Sequence, residues 1–214
     1  MAKILVFGDS IVYGAWDGEK EGGWVQRLRK LFDEKYLIDP DFDYSVYNLG
    51  VSGNITDELL KRFEFETRQR LKEGEEVIII FQIGINDSQF VISENNLRTL
   101  PEKFRENVEE LINQAQKFTS KIVFVGLTAV DEIKTTPILW DPDKIYKNEN
   151  IKRNNEIIKS VCRENNVYFI EIFKGWITDY KNLLEDGLHP NSKGHKKIFE
   201  TVKDFLIQNK IIPL

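Results

Sequence analysis

Short unbroken apolar runs alternate along this chain with stretches whose apolar residues recur every three or four positions. Ile4–Phe7 and Val77–Phe81 are among the longest runs. Runs of that length, rich in Ile, Val and Phe, are typical of strands covered on both faces. The pattern predicts strands over Lys3–Phe7, Tyr44–Leu49, Glu76–Ile83, Lys121–Leu127 and Val167–Ile172. Between them the period lengthens. Trp24, Val25, Leu28, Leu31 and Phe32 form a helical stripe over Trp24–Tyr36. Further helices are predicted over Thr56–Lys72, with Thr56 and Asp57 placed to cap it, and over Pro101–Phe118, Asn150–Asn165 and Asn191–Gln208. Strand and helix alternate throughout, which predicts an α/β fold with a parallel sheet and helices on both faces.

One connection breaks the rhythm. Thr128–Asn150 carries Pro137, Trp140, Pro142 and Tyr146 and is too long for a plain strand-to-helix turn. Connections of this length are usually lids, binding loops or disordered. No repeat, low-complexity tract or linker interrupts the chain, so residues 1–214 are read as a single domain.

The composition is that of an ordinary globular chain. Hydrophobic residues make up 41% and charged residues 30% of 214 residues, enough for a core without covalent staples. The 35 acidic against 30 basic residues leave a net charge of −5. Duplex binding needs a basic excess, so no nucleic-acid partner is expected. The same acidity gives no attraction to anionic lipid. No apolar run approaches a membrane span, so no stable membrane association is expected either. The single cysteine, Cys162, excludes an internal disulfide, and two late histidines argue against a His-rich metal site. Met1-Ala2-Lys3 leads straight into a four-residue apolar run without a signal-peptide pattern, and the expected location is cytoplasmic. No heptad marks a pairing face, and assembly into a homo-oligomer through edge helices stays open.

In doubly wound sheets ligands bind beyond the carboxyl ends of the strands. Gly8-Asp9-Ser10-Ile11 follows the first predicted strand and Gly50-Val51-Ser52-Gly53-Asn54 the second. Gly84-Ile85-Asn86-Asp87 follows the third, and Asp186-Gly187-Leu188-His189-Pro190 comes after the fifth. A solvated rim favours polar residues, but it does not by itself select a hydroxyl, an imidazole and an acid together. A serine hydroxyl is a poor nucleophile without a base. His189 is the natural base, and Asp186, three residues earlier, is placed to fix its tautomer and stabilise its cation. The N–H groups of Ser10 and Gly53 and the side-chain amide of Asn86 are candidate donors for a developing oxyanion.

These residues resemble the GDSL, or SGNH, hydrolase family. Phe7-Gly8-Asp9-Ser10-Ile11 is similar to its first block, Gly84-Ile85-Asn86-Asp87 to its Gly-x-Asn-Asp block, and Asp186-x-x-His189 to its last. Ser10, Gly53, Asn86 and His189 stand in the family's order, and the resemblance runs from residue 4 to about residue 195. It implies a flavodoxin-like α/β/α sandwich with a five-stranded parallel sheet (the SGNH hydrolase fold). It also implies a serine esterase or acylhydrolase without metal or organic cofactor. By position, Ser10 would be nucleophile, His189 base, Asp186 its orienting acid, and Gly53 and Asn86 oxyanion donors. The expected substrate is a small soluble ester, with an acetylated carbohydrate the favoured guess. None of the blocks departs from the family pattern; Thr128–Asn150 does, which leaves the acyl preference open.

Plainer readings stand beside these. Ser10 could cap a helix. Asp9 and Asp87 are expected to be scaffolding, Gly50 a turn glycine and Cys162 a buried inert thiol. Trp24 is expected in the core and His195 in a structural or exposed place. Trp16 and Trp140 are candidates for the substrate pocket or for packing their loops. A competing function is a flavodoxin-like nucleotide- or flavin-binding module with a phosphate cradled by Gly8–Gly14. It lacks a Gly-x-x-x-x-Gly-Lys-Ser/Thr or Gly-x-Gly-x-x-Gly signature and leaves Asp186 and His189 unexplained. A catalytically silent binding protein of the same fold is the third reading.

Overall fold

β1 (Ala2–Gly8) is buried over its whole length, as its unbroken apolar run requires. The computed structural model, which describes residues 2–19 and 21–213, pairs it in parallel with β2 (Tyr44–Gly50) on one side and β3 (Glu76–Gln82) on the other. Two short strands follow, β4 (Phe90–Val91) and β5 (Asn96–Leu97). β6 (Ile122–Val125) adds in parallel to β3. After the short β7 (Lys144–Ile145), β8 (Tyr168–Ile170) adds in parallel to β6. The five-stranded parallel sheet therefore runs β2-β1-β3-β6-β8. The chain steps outward to β2 and then reverses across β1 to β3. That reversal puts a crevice at the carboxyl ends of β1 and β3, the usual ligand position in such sheets.

Helices cover both faces. α1 (Ser10–Tyr13) is one turn, and α2 (Gly23–Ile38) buries Trp24, Val25, Leu28 and Phe32. α3 (Thr56–Arg68) and α4 (Pro101–Gln116) pack on each other, with Phe63 of α3 and Phe104, Val108, Leu111 and Ile112 of α4 turned inward. After α5 (Glu132–Thr135), α6 (Asn148–Glu164) packs on α4. Two one-turn helices, α7 (Phe173–Trp176) and α8 (Tyr180–Leu183), lead to α9 (Ser192–Gln208), which packs on α2. Right-handed crossovers place α2 and α9 on one face and α3, α4 and α6 on the other. This is the α/β/α arrangement expected from the sequence.

Several boundaries move for identifiable reasons. Thr56 is not a cap: Ile55 is the N-cap of α3, and Glu58 Oε2 accepts from the Ile55 N–H at 3.0 Å. The Thr56 hydroxyl instead donates to Asp87 Oδ1 at 2.6 Å. α3 stops at Arg68, where Arg70 N–H turns back to Thr67 O at 3.1 Å. β6 ends at Val125 because the Leu127 N–H is taken by the Asn155 side chain at 2.9 Å. Gly50 is the last residue of β2 rather than a turn. A side chain there would meet the Tyr13 backbone nitrogen at 2.2 Å.

The long connection after β6 is ordered into the body. It contains α5 and β7, and it buries Ala129, Val130, Ile138 and Tyr146. β7 pairs antiparallel with β4, which also pairs with β5, so a small sheet β5-β4-β7 ties this connection to the segment after β3. Strands of two residues carry too little periodicity to be read from sequence.

Candidate active site

Ser10 opens α1 immediately beyond the end of β1. Asp9, not Ser10, caps that turn, its carboxylate accepting from Ile11 N–H at 2.9 Å. The Ser10 hydroxyl is thereby left for other work, and its N–H, the first of the helix, has no carbonyl a turn behind it. Gly14, at φ 95°, ends the turn in the left-handed region that favours glycine. The Asp9 carboxylate thereby takes the Ile11 N–H that a cradled phosphate would need.

Asp186 and His189 lie on a tight loop between α8 and α9. Leu184 bridges Pro190, and Glu185 N–H donates to His189 O at 2.9 Å, closing the loop. One oxygen of Asp186 accepts from the backbone N–H groups of Leu188 and His189 at 2.9 and 2.8 Å. The other lies 2.7 Å from His189 Nδ1. A carboxylate only accepts, so Nδ1 carries the proton and Nε2 presents a lone pair. That lone pair faces the Ser10 hydroxyl, with Oγ 3.0 Å from Nε2. Two side chains 179 positions apart in the sequence thus meet at one rim of the sheet. Burial pushes the Asp186 pKa up, but the hydrogen bonds and charge of His189 outweigh it and hold the carboxyl below its ordinary value. Such a chain of hydrogen bonds can draw a proton from a serine hydroxyl.

Gly53 and Asn86 line the same cleft as Ser10 and His189, a space of about 580 Å³. Gly53 follows β2 at φ 81°, and its carbonyl is held by Arg98 Nη1 at 3.1 Å. Asn86 starts a short 3₁₀ turn after β3. Its amide nitrogen donates one hydrogen to Asn54 O at 3.0 Å, leaving its second for the cleft, while its carbonyl oxygen accepts from the Tyr146 hydroxyl at 2.6 Å. The three residues expected to supply oxyanion donors therefore line one space.

Two buried acids underlie the site. Burial pushes the Asp9 pKa up to about 7, opposed by the Ile11 N–H and the His189 charge. Burial pushes Asp87 up to about 6, opposed by its bonds from Thr56. Both fit the scaffold role expected of them. Cys162 is buried and its pKa is pushed up to about 12 by desolvation, consistent with an inert thiol. Trp24 is fully buried and donates from Nε1 to Gln82 Oε1 at 2.8 Å.

Trp16 and Trp140 both line the cleft and flank His189, with ring centroids 5.8 Å and 6.0 Å from the imidazole. They are 58% and 54% exposed, so each keeps more than half of its surface open. Trp16 sits at φ 63°, a left-handed backbone that a bulky side chain adopts only under constraint. The constraint is visible. His195, buried on α9, lies with Nε2 3.1 Å from Ala15 O. The Asp17 carboxylate accepts from Gly23 N–H and Arg27, each at 2.9 Å, and from the Ser192 hydroxyl. His195 thus holds the loop carrying Trp16, a structural place. Sequence reading passed over Gln89, Arg98 and Leu188, which also line the cleft, and gave no role to Tyr146. Among the described residues, no group of three or more His, Cys, Asp or Glu side chains is placed to hold a metal ion. Among the same residues, no helix is long and apolar enough to cross a membrane.

The parallel sheet and its helices, with Ser10, His189 and Asp186 hydrogen-bonded at the carboxyl rim, define the class: an α/β protein of the SGNH hydrolase fold. The chain belongs to the GDSL-like lipase/acylhydrolase family, whose model matches residues 6–197. It is 28% identical over 229 aligned positions to a multidomain esterase from Ruminococcus flavefaciens, covering 92% of this chain but only 27% of that protein. Its fold is similar to a lipase/acylhydrolase from Enterococcus faecalis (TM-score 0.73, 21% identity, 98% of this chain and 97% of the other). It is also similar to an acetylxylan esterase from Geobacillus stearothermophilus (TM-score 0.71, 19% identity, 96% and 92%).

Proposed function

We propose that this chain is a serine esterase that removes short acyl groups, acetyl foremost, from a small hydroxylated compound by way of an acyl-serine intermediate. The observation that carries the reading is the continuous hydrogen-bonded chain from Ser10 Oγ through His189 to Asp186, at 3.0 and 2.7 Å. Ser10 Oγ attacks the ester carbonyl carbon while His189 Nε2 takes the hydroxyl proton. The carbonyl π pair moves onto oxygen, where Ser10 N–H, Gly53 N–H and Asn86 Nδ2 receive it. Asp186 steadies the imidazolium. Collapse breaks the bond to the alcohol, which leaves with the proton from His189. Water then adds to the acyl-serine, gives its proton to Nε2, and the acid departs as Ser10 recovers its hydrogen.

The cleft itself supports a short acyl group. Its aliphatic lining is Ala15, Ile138 and Leu188, a small surface beside the aromatic faces of Tyr13, Trp16 and Trp140. The exposed indole faces of Trp16 and Trp140 lie beside His189, which protonates the leaving alcohol, and they suit the C–H face of a ring-shaped alcohol such as a sugar. The acetylxylan esterases of similar fold agree with this choice.

The test is a p-nitrophenyl ester series from acetyl to octanoyl, with acetylated sugars alongside, on the unaltered protein and on Ser10→Ala. The expected result is turnover that falls steeply beyond butyryl, and is lost, by 10³-fold or more, in S10A at unchanged thermal stability. Near-normal turnover by S10A overturns the acyl-serine route. A maximum at octanoyl overturns the short-acyl assignment.

A further inference from the structure

The oxyanion donors Gly53 and Asn86 belong to different loops, after β2 and β3, and neither loop alone fixes their direction. Asn86 matters most here, because a primary amide offers a carbonyl oxygen and an NH2 of nearly equal size. Only one of its two orientations presents a donor to the cleft. Asn54 O, which only accepts, holds the NH2 end, and the oxygen end is held by the Tyr146 hydroxyl. That hydroxyl donates to Asn86 Oδ1 at 2.6 Å and accepts from Gln89 Nε2. With its lone pair engaged by Gln89, its single proton goes to Asn86, whose oxygen must point at Tyr146 and whose NH2 must point away. Burial raises the pKa of Tyr146, so the hydroxyl keeps the proton it donates.

The network does not stop at Asn86. Gln89 Oε1 accepts from Arg98 Nη1 at 3.2 Å, and the same Nη1 donates to Gly53 O at 3.1 Å. Arg98 Nη2 lies 3.6 Å from Glu58 Oε2, which also holds the Ile55 N–H. Asn86 Nδ2 closes the circuit on Asn54 O, one residue from Gly53. Tyr146 is itself fixed by its own connection. Its N–H donates to Thr135 O at 3.0 Å, and its carbonyl accepts from Thr135 Oγ1 at 3.1 Å. It is 2% exposed, yet it lines the cleft.

We propose that Tyr146, Gln89 and Arg98 are positioning residues that lock both outlying oxyanion donors into one ring of hydrogen bonds, and that the long connection after β6 exists in part to deliver Tyr146 to Asn86. None of the three belongs to a family block. The inference rests on the esterase reading above, but it concerns how the hole is held rather than which atom attacks.

A double-mutant cycle tests it. Tyr146→Phe keeps the ring and removes the hydroxyl. It is expected to lower kcat about tenfold on p-nitrophenyl acetate, with KM within twofold, since a transition-state donor is disordered and no ground-state contact is lost. Asn86→Ala is expected to lower kcat by about 10²–10³-fold. In the Asn86→Ala background the added Tyr146→Phe change should lower kcat by much less than tenfold, because its direct bond to the hole is through Asn86 and only the indirect route through Gln89 and Arg98 to Gly53 remains. Arg98→Gln, a change at a partly exposed side chain, also loosens Gly53. It should lower kcat in both backgrounds. An additive Tyr146→Phe effect, a change confined to KM, or an unaltered kcat in Arg98→Gln overturns the positioning role while the esterase stands. Absence of Ser10-dependent turnover in the unaltered protein overturns both.

Discussion

Replacing Asp186 by asparagine keeps the outline of the side chain and exchanges one accepting oxygen for an NH2. The structure dictates which end goes where. One Asp186 oxygen already accepts from the Leu188 and His189 N–H groups at 2.9 and 2.8 Å, so the amide oxygen stays there. The new NH2 is then placed where an acceptor stood, 2.7 Å from His189 Nδ1. Two donors cannot share that line. The neutral imidazole answers by moving its proton to Nε2 and turning a lone pair toward the amide. Nε2, 3.0 Å from Ser10 Oγ, then holds a hydrogen where it must accept one. A tautomer error of this kind costs about 10⁴ in kcat, which at 1.36 kcal/mol per decade is about 5 kcal/mol of transition-state stabilisation. KM should move little, since substrate meets neither Asp186 oxygen. The assay is steady-state kcat on p-nitrophenyl acetate beside a thermal melt. A folded Asp186→Asn protein that keeps more than a tenth of the unaltered kcat would refute the tautomer argument.

The same substitution makes a pH claim about stability. The Asp186 pKa is lower in the folded chain than in the unfolded one. The unfolded state therefore binds the extra proton first. The carboxylate's contribution is fully present above the unfolded value, about 3.9, and is lost as pH falls through the depressed folded one. The stability gap between the unaltered protein and Asp186→Asn should be open at pH 7 and narrow in acid below about pH 4. A gap that stays constant across that range contradicts the assigned shift.

Gly53→Ala tests the hole from the other side. No atom lies within 4 Å of the added methyl, so the penalty is the φ of 81° rather than a clash. A left-handed alanine costs about 1–2 kcal/mol, a fall in Tm of a few degrees for a chain of this length, and the shifted N–H should lower kcat at least tenfold. A lower Tm with unaltered kcat removes Gly53 from the hole. Asp9→Asn concerns the buried acid beneath Ser10. With a folded pKa of about 7 against an ordinary 3.8, the folded state holds its proton longer than the unfolded chain, so stability is lost as pH rises between those values. Asn is already neutral and keeps the acceptor for Ile11. The stability of Asp9→Asn relative to the unaltered protein, read by urea unfolding, should rise from pH 4 to pH 7 by an amount on the order of 3–4 kcal/mol and then level. A flat difference refutes the assignment.

What sequence alone could reveal was set by how local each cause is. β1 and β3 were legible because a buried parallel strand needs an unbroken apolar run, and Ile4–Phe7 and Val77–Phe81 supply it. Ser10 and His189 were legible despite lying 179 positions apart, because Ser10 opens the turn after β1, His189 sits in an Asp-x-x-His block just before α9, and the family's spacing marks both. Thr56 was misread because its hydroxyl had two local outlets. The choice of Asp87 over the backbone was made by the packing of α3 on the turn after β3. Trp16 stayed undecided because a left-handed tryptophan is a tertiary fact: it persists only while His195 and Asp17 hold the loop from α9 and α2.

Tyr146 marks the limit most sharply. Its sequence neighbourhood carries no motif, and on composition it was one aromatic residue in a long connection. Its importance comes from three pairings that no local pattern encodes. β7 pairs with β4, α5 supplies the carbonyl of Thr135, and Gln89 occupies the hydroxyl's lone pair. The reactive atoms of such a site are therefore recognisable by type and order, since their chemistry restricts them to a few residues. The atoms that aim them are restricted only by geometry, and Phe, Gln or water could stand in a different relative's place without altering any block of the pattern.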